Sequence, residues 1–235
     1  MATNNETKNN SQELIGALLA ASIHEIKNRF GVLYNQLDGL LAELPVNPQQ
    51  QEKSDRIKSE AEFISNELIR VLASYKSIGE DAFINIDQHI VIEFLEDTVA
   101  RHSYTQKANS LTIDFDCDED LTGFYDSQIL TIVLDTGIYN SVKAGANQIL
   151  LTANEETPGY LSLHIEDNGP GFPDEFLTQD ISQGKLSLED QSTGLGLFFA
   201  NQLIQSHTEG DKVGYLELGK GSRLTGAKLS FYIPQ

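Results

Sequence analysis

The sequence has a single cysteine, Cys117, in 235 residues. No disulfide can form within the chain and no cysteine-based metal cluster is possible. One thiol fits a reducing compartment. Basic residues are also scarce: 16 Lys and Arg stand against 35 Asp and Glu, a net charge of −19. Such a chain repels nucleic acid and anionic membrane surfaces at long range. No run of 18 apolar residues occurs, so no membrane-spanning helix is predicted. The N-terminal MATNNETKNNSQE lacks the apolar centre of a signal peptide. We therefore expect a soluble, cytoplasmic protein with no nucleic-acid or membrane partner. Hydrophobic residues make up 40% and charged residues 22%, enough to build a core.

Residues 1–11 are polar, with no apolar anchor, and are expected to be a disordered tail. From Leu14, apolar residues recur at three- and four-residue steps through Leu18, Ala21, Phe30, Leu33, Leu37, Leu40 and Leu44. That is the period of an amphipathic helix. PVNPQQ (45–50) reads as a turn. A second stripe runs through Ile57, Ala61, Ile64, Leu68, Tyr75 and Ile78. Two such helices make an antiparallel hairpin with an uncovered apolar face. Pairing two copies into a four-helix bundle buries that face, so a homodimer is expected.

Beyond a linker at 80–86 the periodicity changes. Helices are predicted at 88–101, 126–144 and 194–206, and strands at 111–116, 148–153, 160–167, 213–218 and 227–233. Residues 173–192 read as a loop. This order suggests a two-layer α/β sandwich over 87–235, so the chain is α+β, with the helical hairpin at 12–79.

Four motifs carry chemistry. SIHEIKN (22–28) puts His24, Glu25 and Asn28 within about one helical turn. A carboxylate at Glu25 can orient an imidazole at His24, and an amide at Asn28 can position a water. The same residues also fit an ordinary solvated helix face. IYNSVKAGA (138–146) places Asn140 and Lys143 at i, i+3, an amide oxygen suited to Mg²⁺ and an ammonium suited to phosphate. EDNGPGF (166–172) sets Asp167 at a strand end, where it can accept a hydrogen bond from an exocyclic amine such as adenine N6. Gly169 and Gly171 let backbone approach a ligand; a plain turn is the alternative. In STGLGLFFANQLI (192–204), Thr193 can cap a helix while Gly194 and Gly196 leave its first N–H groups bare for phosphate. Close helix–sheet packing explains the same glycines.

The order of the four motifs resembles the H-, N-, G1- and G2-boxes of the transmitter part of bacterial two-component sensor histidine kinases, over roughly residues 14–234. The resemblance implies a dimerisation and histidine-phosphotransfer hairpin followed by a Bergerat-type ATP-binding domain. It makes His24 the phosphoacceptor, Glu25 its acidic neighbour and Asn28 a residue of phosphatase activity. Asn140 becomes the Mg²⁺ ligand, Lys143 a phosphate contact and Asp167 the adenine anchor. Gly169, Gly171, Gly194 and Gly196 become lid hinges and phosphate loop, and 173–192 the ATP lid. ATP and Mg²⁺ are the implied ligands, and the receiver domain of a response regulator the implied partner.

Two positions depart from that pattern, and the lid has no clear aromatic box. Arg29 stands where the family usually has the Pro that kinks the helix. Thr136 replaces the usual Asn or Glu four residues before Asn140, with Asp135 turned about 100° away around the helix; slower ATP turnover is expected. Phe172 and Phe176 are the aromatics nearest the lid. Because the tail is too short to fold around a ligand, the input is expected from a separate sensor protein or from the tail and helices themselves. Two other functions fit the motifs: a phosphotransferase or adaptor with a weakened ATP domain, and a serine-directed kinase or ATPase that leaves His24 idle.

Overall fold

The computed structural model describes Glu25, Ile26, Asn28, Arg29, residues 31–33, 36, 39–40, 49–50, 53–58, 61 and 64, and then 84–177 and 194–235. The chain divides into two compact units, Met1–Ala82 and Phe83–Gln235.

Every described residue of the first unit is helical. Gln49 and Gln50, expected in the turn, are helical as well. Leu33, Leu40, Ile57 and Ile64, all on the expected stripes, are 45–60% exposed in the single chain. Asn28 is exposed, and Glu25 accepts a 2.7 Å hydrogen bond from Nε of Arg29. His24 and the turn at 45–48 lie outside the described residues. Among the described residues no helix is long and apolar enough to cross a membrane.

The second unit runs β1 (Asp87–Ile90), α1 (Val91–Arg101), α2 (Ser103–Asn109), β2 (Thr112–Asp116), β3 (Thr122–Tyr125), α3 (Ser127–Lys143), β4 (Gln148–Asn154), β5 (Tyr160–Asp167), α4 (Asp174–Leu177), α5 (Gly194–Gln205), β6 (Thr208–Glu209), β7 (Lys212–Val213), β8 (Tyr215–Lys220) and β9 (Ala227–Pro234). The main sheet has the order β2-β4-β5-β9-β8. β2 and β4 are parallel, which requires a crossover, and α3 lies between them in the chain. The other pairs are antiparallel.

Alternation along the strands sends Ile149 and Leu151 of β4, Leu161, Leu163 and Ile165 of β5, and Leu229, Phe231 and Ile233 of β9 into the core. They meet Leu130, Val133, Leu134 and Ile138 of α3 and Leu197, Ala200, Leu203 and Ile204 of α5, all at most 4% exposed. The helix α3 begins where Asp126 caps it, its carboxylate accepting the N–H groups of Gln128 and Ile129, two of the donors a helix start leaves unmatched.

The structure corrects the expected helix start at Gln88. Residues 87–90 form β1, paired antiparallel with β3; neither strand has a period of its own, and each exists by pairing with the other. α2 was also missed, being short and polar. Its end is marked by Ser110 in the left-handed region, φ 50°.

Candidate nucleotide site

A cavity of about 250 Å³ opens between α3, the C-terminal ends of β5 and the start of β9, and the first turn of α5. Its α3 wall is Gly137, Asn140, Ser141 and Ala144, at i, i+3, i+4 and i+7, one helical stripe. Ile165, Asp167 and Leu229 line it from the sheet, Phe172 and Phe176 from the segment after β5, and Leu197 from α5.

Asp167 is 4% exposed and its carboxylate is held by three donors. The hydroxyl of Ser141 donates to Oδ2 at 2.7 Å. The N–H groups of Gly169 and Ala227 donate to Oδ1 at 2.9 and 3.0 Å. Oδ2 retains acceptor capacity toward the cavity, since a carboxylate oxygen takes two hydrogen bonds. Gly226 closes the back of this arrangement: a Cβ there would lie 2.4 Å from Asp167 Oδ1 and 2.6 Å from both the Asp167 carbonyl oxygen and the Gly169 nitrogen. Only glycine fits. At Gly171 the backbone takes φ +81°, the left-handed region that a side chain disfavours.

Asn140 lines the same cavity, and its buried Nδ2 has no hydrogen-bond partner among the described residues. Leaving a buried amide unmatched costs free energy unless a ligand matches it. An amide that can turn its oxygen into the cavity fits a hard cation held mainly by phosphates and water. No group of three or more His, Cys, Asp or Glu suited to a metal ion exists among the described residues.

The remaining expected residues are distributed as follows. Gly169 contributes its N–H to Asp167, and Gly171 lines the cavity. Gly194 and Gly196 sit in the first turn of α5, next to Leu197. Lys143 is exposed in the last turn of α3 and does not line the cavity. Thr193, like residues 178–192, lies outside the described residues. Thr136 turns its hydroxyl to the Ile132 carbonyl at 2.6 Å, within its own helix. Asp135 is 2.9 Å from Nε2 of His102 and 3.5 Å from the Arg101 guanidinium, so neither residue takes the place of the usual Asn or Glu at the cavity.

Gly137, Ser141, Ala144 and Ala227 are among the cavity residues that the sequence did not single out. The α3 stripe was there to be read: counting back and forward from Asn140 by helical steps finds Gly137 and Ala144. Ala227 carried no signal, because it contributes only a backbone N–H. Glu166, beside Asp167, also drew no expectation. Burial alone would raise its pKa, but the N–H groups of Arg223 and Leu224, with the hydroxyl and N–H of Ser222, outweigh that and bring it down to about 2.

Residues 125–235 match the family described as histidine kinase-, DNA gyrase B-, and HSP90-like ATPase. The nucleotide-free catalytic domain of the histidine kinase ThkA superposes with a TM-score of 0.53 at 19% identity, covering 64% of this chain and 96% of that one. Full-length ShkA in complex with AMPPNP gives 0.59 at 19% identity, covering 93% of this chain and 45% of ShkA. At these identities the likeness is one of fold. No curated protein matches the chain.

Proposed function

We propose that the chain is an ATP-dependent protein histidine kinase of a two-component system. It phosphorylates His24 and hands the phosphoryl group to an aspartate on the receiver domain of a response regulator. The observation that carries this reading is the Asp167 carboxylate, buried at a cavity wall and oriented by three donors. A fixed acceptor of this kind suits the exocyclic amine of adenine and rejects a carbonyl at the same place.

The triphosphate would extend toward the first turn of α5, where Gly194 and Gly196 carry no side chain and the helix dipole favours anions. Thr193 would cap that turn, and Lys143 would reach the phosphates from outside the cavity. Asn140 would hold Mg²⁺, which neutralises phosphate charge when bound. Transfer breaks the bond from the γ-phosphorus to the ADP oxygen and forms one to an imidazole nitrogen of His24. Glu25 accepts the hydrogen bond of the other ring nitrogen. Asn28, exposed on the same helix, would position the water that hydrolyses a phospho-aspartate in the reverse role. Gly169 and Gly171 would hinge the segment 173–192 over the nucleotide.

Two further parts of the reading rest on simpler observations. The exposed Leu33, Leu40, Ile57 and Ile64 support a homodimer through a four-helix bundle. The lone cysteine and the use of ATP support a cytoplasmic location.

Incubation with γ-labelled ATP and Mg²⁺ tests the reading. We expect acid-labile label on the protein that is lost in His24→Gln. Label that survives this substitution would point to a serine-directed kinase instead.

A specific observation favours a second reading. With Thr136 bonded within α3 and Asp135 engaged by His102, the usual side chain for activating the phosphate chemistry is missing. The chain would then be a histidine phosphotransferase or adaptor relaying phosphoryl groups through His24. Absence of self-labelling, together with label accepted from a phosphorylated receiver domain, would select it.

A further inference from the structure

Consecutive strand residues point to opposite faces of a sheet. Asp167 faces the cavity, and Glu166 faces the other side of β5. Glu166 is nevertheless 2% exposed, because one loop wraps its carboxylate. Oε2 accepts the N–H groups of Ser222, Arg223 and Leu224 at 2.9, 2.7 and 3.1 Å. Oε1 accepts the Ser222 hydroxyl at 2.9 Å and lies 3.5 Å from the Lys228 ammonium. Successive backbone N–H groups converging on one oxygen form the kind of nest that elsewhere binds a free anion. Here the anion is a side chain of the same domain.

The loop that Glu166 holds at one end holds Asp167 at the other. Gly221 N–H bonds to the Gly226 carbonyl at 2.9 Å, and Gly226 N–H to the Asp167 carbonyl at 2.9 Å. Ala227 N–H then reaches Oδ1 of Asp167. Residues 222–224 bind the Glu166 carboxylate and residues 226–227 bind Asp167, so one short stretch of backbone, pinned across its neck by the Gly221–Gly226 hydrogen bond, joins the two carboxylates. They belong to neighbouring residues on opposite faces of the strand.

We infer that Glu166 is a positioning residue for nucleotide binding, acting through the 222–227 loop to hold the Asp167 carboxylate in its binding rotamer. The inference rests on the reading of the cavity as an ATP site. Without the Glu166 carboxylate, three backbone N–H groups must find water and the loop opens toward solvent. The N–H groups of Gly226 and Ala227 then lose their fixed place, and Asp167 regains rotamer freedom that binding must remove again. Glu166 stays ionised throughout the working pH range, so the hold is permanent and is not a pH switch.

The test uses the full chain with Glu166→Ala, Glu166→Gln and Ser222→Ala. ATP affinity is read by calorimetry with Mg²⁺, and amide hydrogen exchange is read at Gly226 and Ala227. We expect Glu166→Ala to bind ATP about tenfold more weakly. Glu166→Gln should fall between it and the unaltered chain, since one oxygen remains to accept. Exchange at Gly226 and Ala227 should quicken while the β4–β5 ladder keeps its protection, a pattern that loss of global stability alone would not give. Should Glu166→Ala fail to fold, Glu166→Gln and Ser222→Ala carry the same two readouts. Unchanged exchange at Gly226 and Ala227, or faster exchange with ATP affinity within twofold of the unaltered chain, overturns the role of Glu166 and leaves the nucleotide site standing. No ATP binding to the unaltered chain removes both.

Discussion

Asp135 faces His102, its carboxylate oxygen 2.9 Å from the ring Nε2, with the Arg101 guanidinium 3.5 Å from the same oxygen. Both Asp135 and His102 are less than a tenth exposed. Burial pushes the Asp135 carboxyl up, but the hydrogen bond and charge of His102, then the charge and hydrogen bond of Arg101, outweigh it and hold the carboxyl below its usual range. This group ties α3 to the end of α1. We expect Asp135→Ala to cost about 3 kcal/mol of stability, as for other broken buried pairs, and to leave ATP affinity within threefold. Thermal unfolding and calorimetry measure the two. A large loss of affinity at unchanged stability would mean that Asp135 serves the nucleotide after all.

Asp167→Asn replaces one acceptor oxygen with a donor amide. With Ser141, Gly169 and Ala227 all donating to this side chain, the amide must turn its NH₂ toward at least one donor. Loss of ATP affinity of at least about 30-fold is expected, or ~2 kcal/mol. Titration calorimetry reads it directly.

Ser141→Ala removes the hydroxyl that orients Oδ2 of Asp167 while keeping the helix former and nearly the same volume. Affinity for ATP should fall about three- to tenfold, a typical net hydrogen-bond contribution. The melting temperature without nucleotide should move little. Equal loss of both would assign Ser141 to the core alone.

Acid stability should fall in two steps. Burial, then the nearby Lys228 charge, lowers the pKa of His164 to about 4 against the opposing pull of Glu166. The unfolded chain therefore takes up a proton near pH 6.5 that the folded chain refuses until about pH 4. The stability tied to His164 is complete above 6.5 and is lost as pH falls toward 4. Glu166, brought down to about 2, adds stability that is complete above about 4.5 and drains between there and 2. Melting temperature against pH should fall through both windows. His164→Asn should flatten the upper one, and a slope unchanged in that variant would sink the assignment.

Leu40→Glu or Ile57→Glu should convert a dimer to monomers at micromolar concentration, since each residue is about 60% exposed in the single chain and a charge in a paired apolar face is not solvated. Sedimentation equilibrium decides it. A monomeric unaltered chain would remove the bundle from the proposed function.

Most elements of the second unit were legible because each signal is local. The α3 helix was expected at 126–144 and is found at Ser127–Lys143, β4 and β5 were expected at 148–153 and 160–167 and are found at Gln148–Asn154 and Tyr160–Asp167, and β2 was legible through the alternation of LTIDFD. β1, β3 and α2 were not legible. DQHI and TGFY acquire strand geometry only through each other, with Asp87 opposite Tyr125 across 38 residues of chain. At the site, Asp167 and Asn140 could be named from side-chain chemistry at fixed spacing. The loop at 222–227 could not, since its contribution is backbone N–H groups, which every non-proline residue carries.

The sequence by itself determined the longer elements of this protein, the places where an acceptor carboxylate and an amide stand beside glycines, and a net charge of −19. These follow from local periodicity and residue chemistry, which need no knowledge of what lies across the fold. Only the tertiary structure decided direction. It turned Asp135 toward His102 and Asp167 toward the cavity, and wrapped Glu166 in a loop 56 residues further along. Which way a side chain faces depends on what packs against it, and those neighbours come from distant parts of the chain.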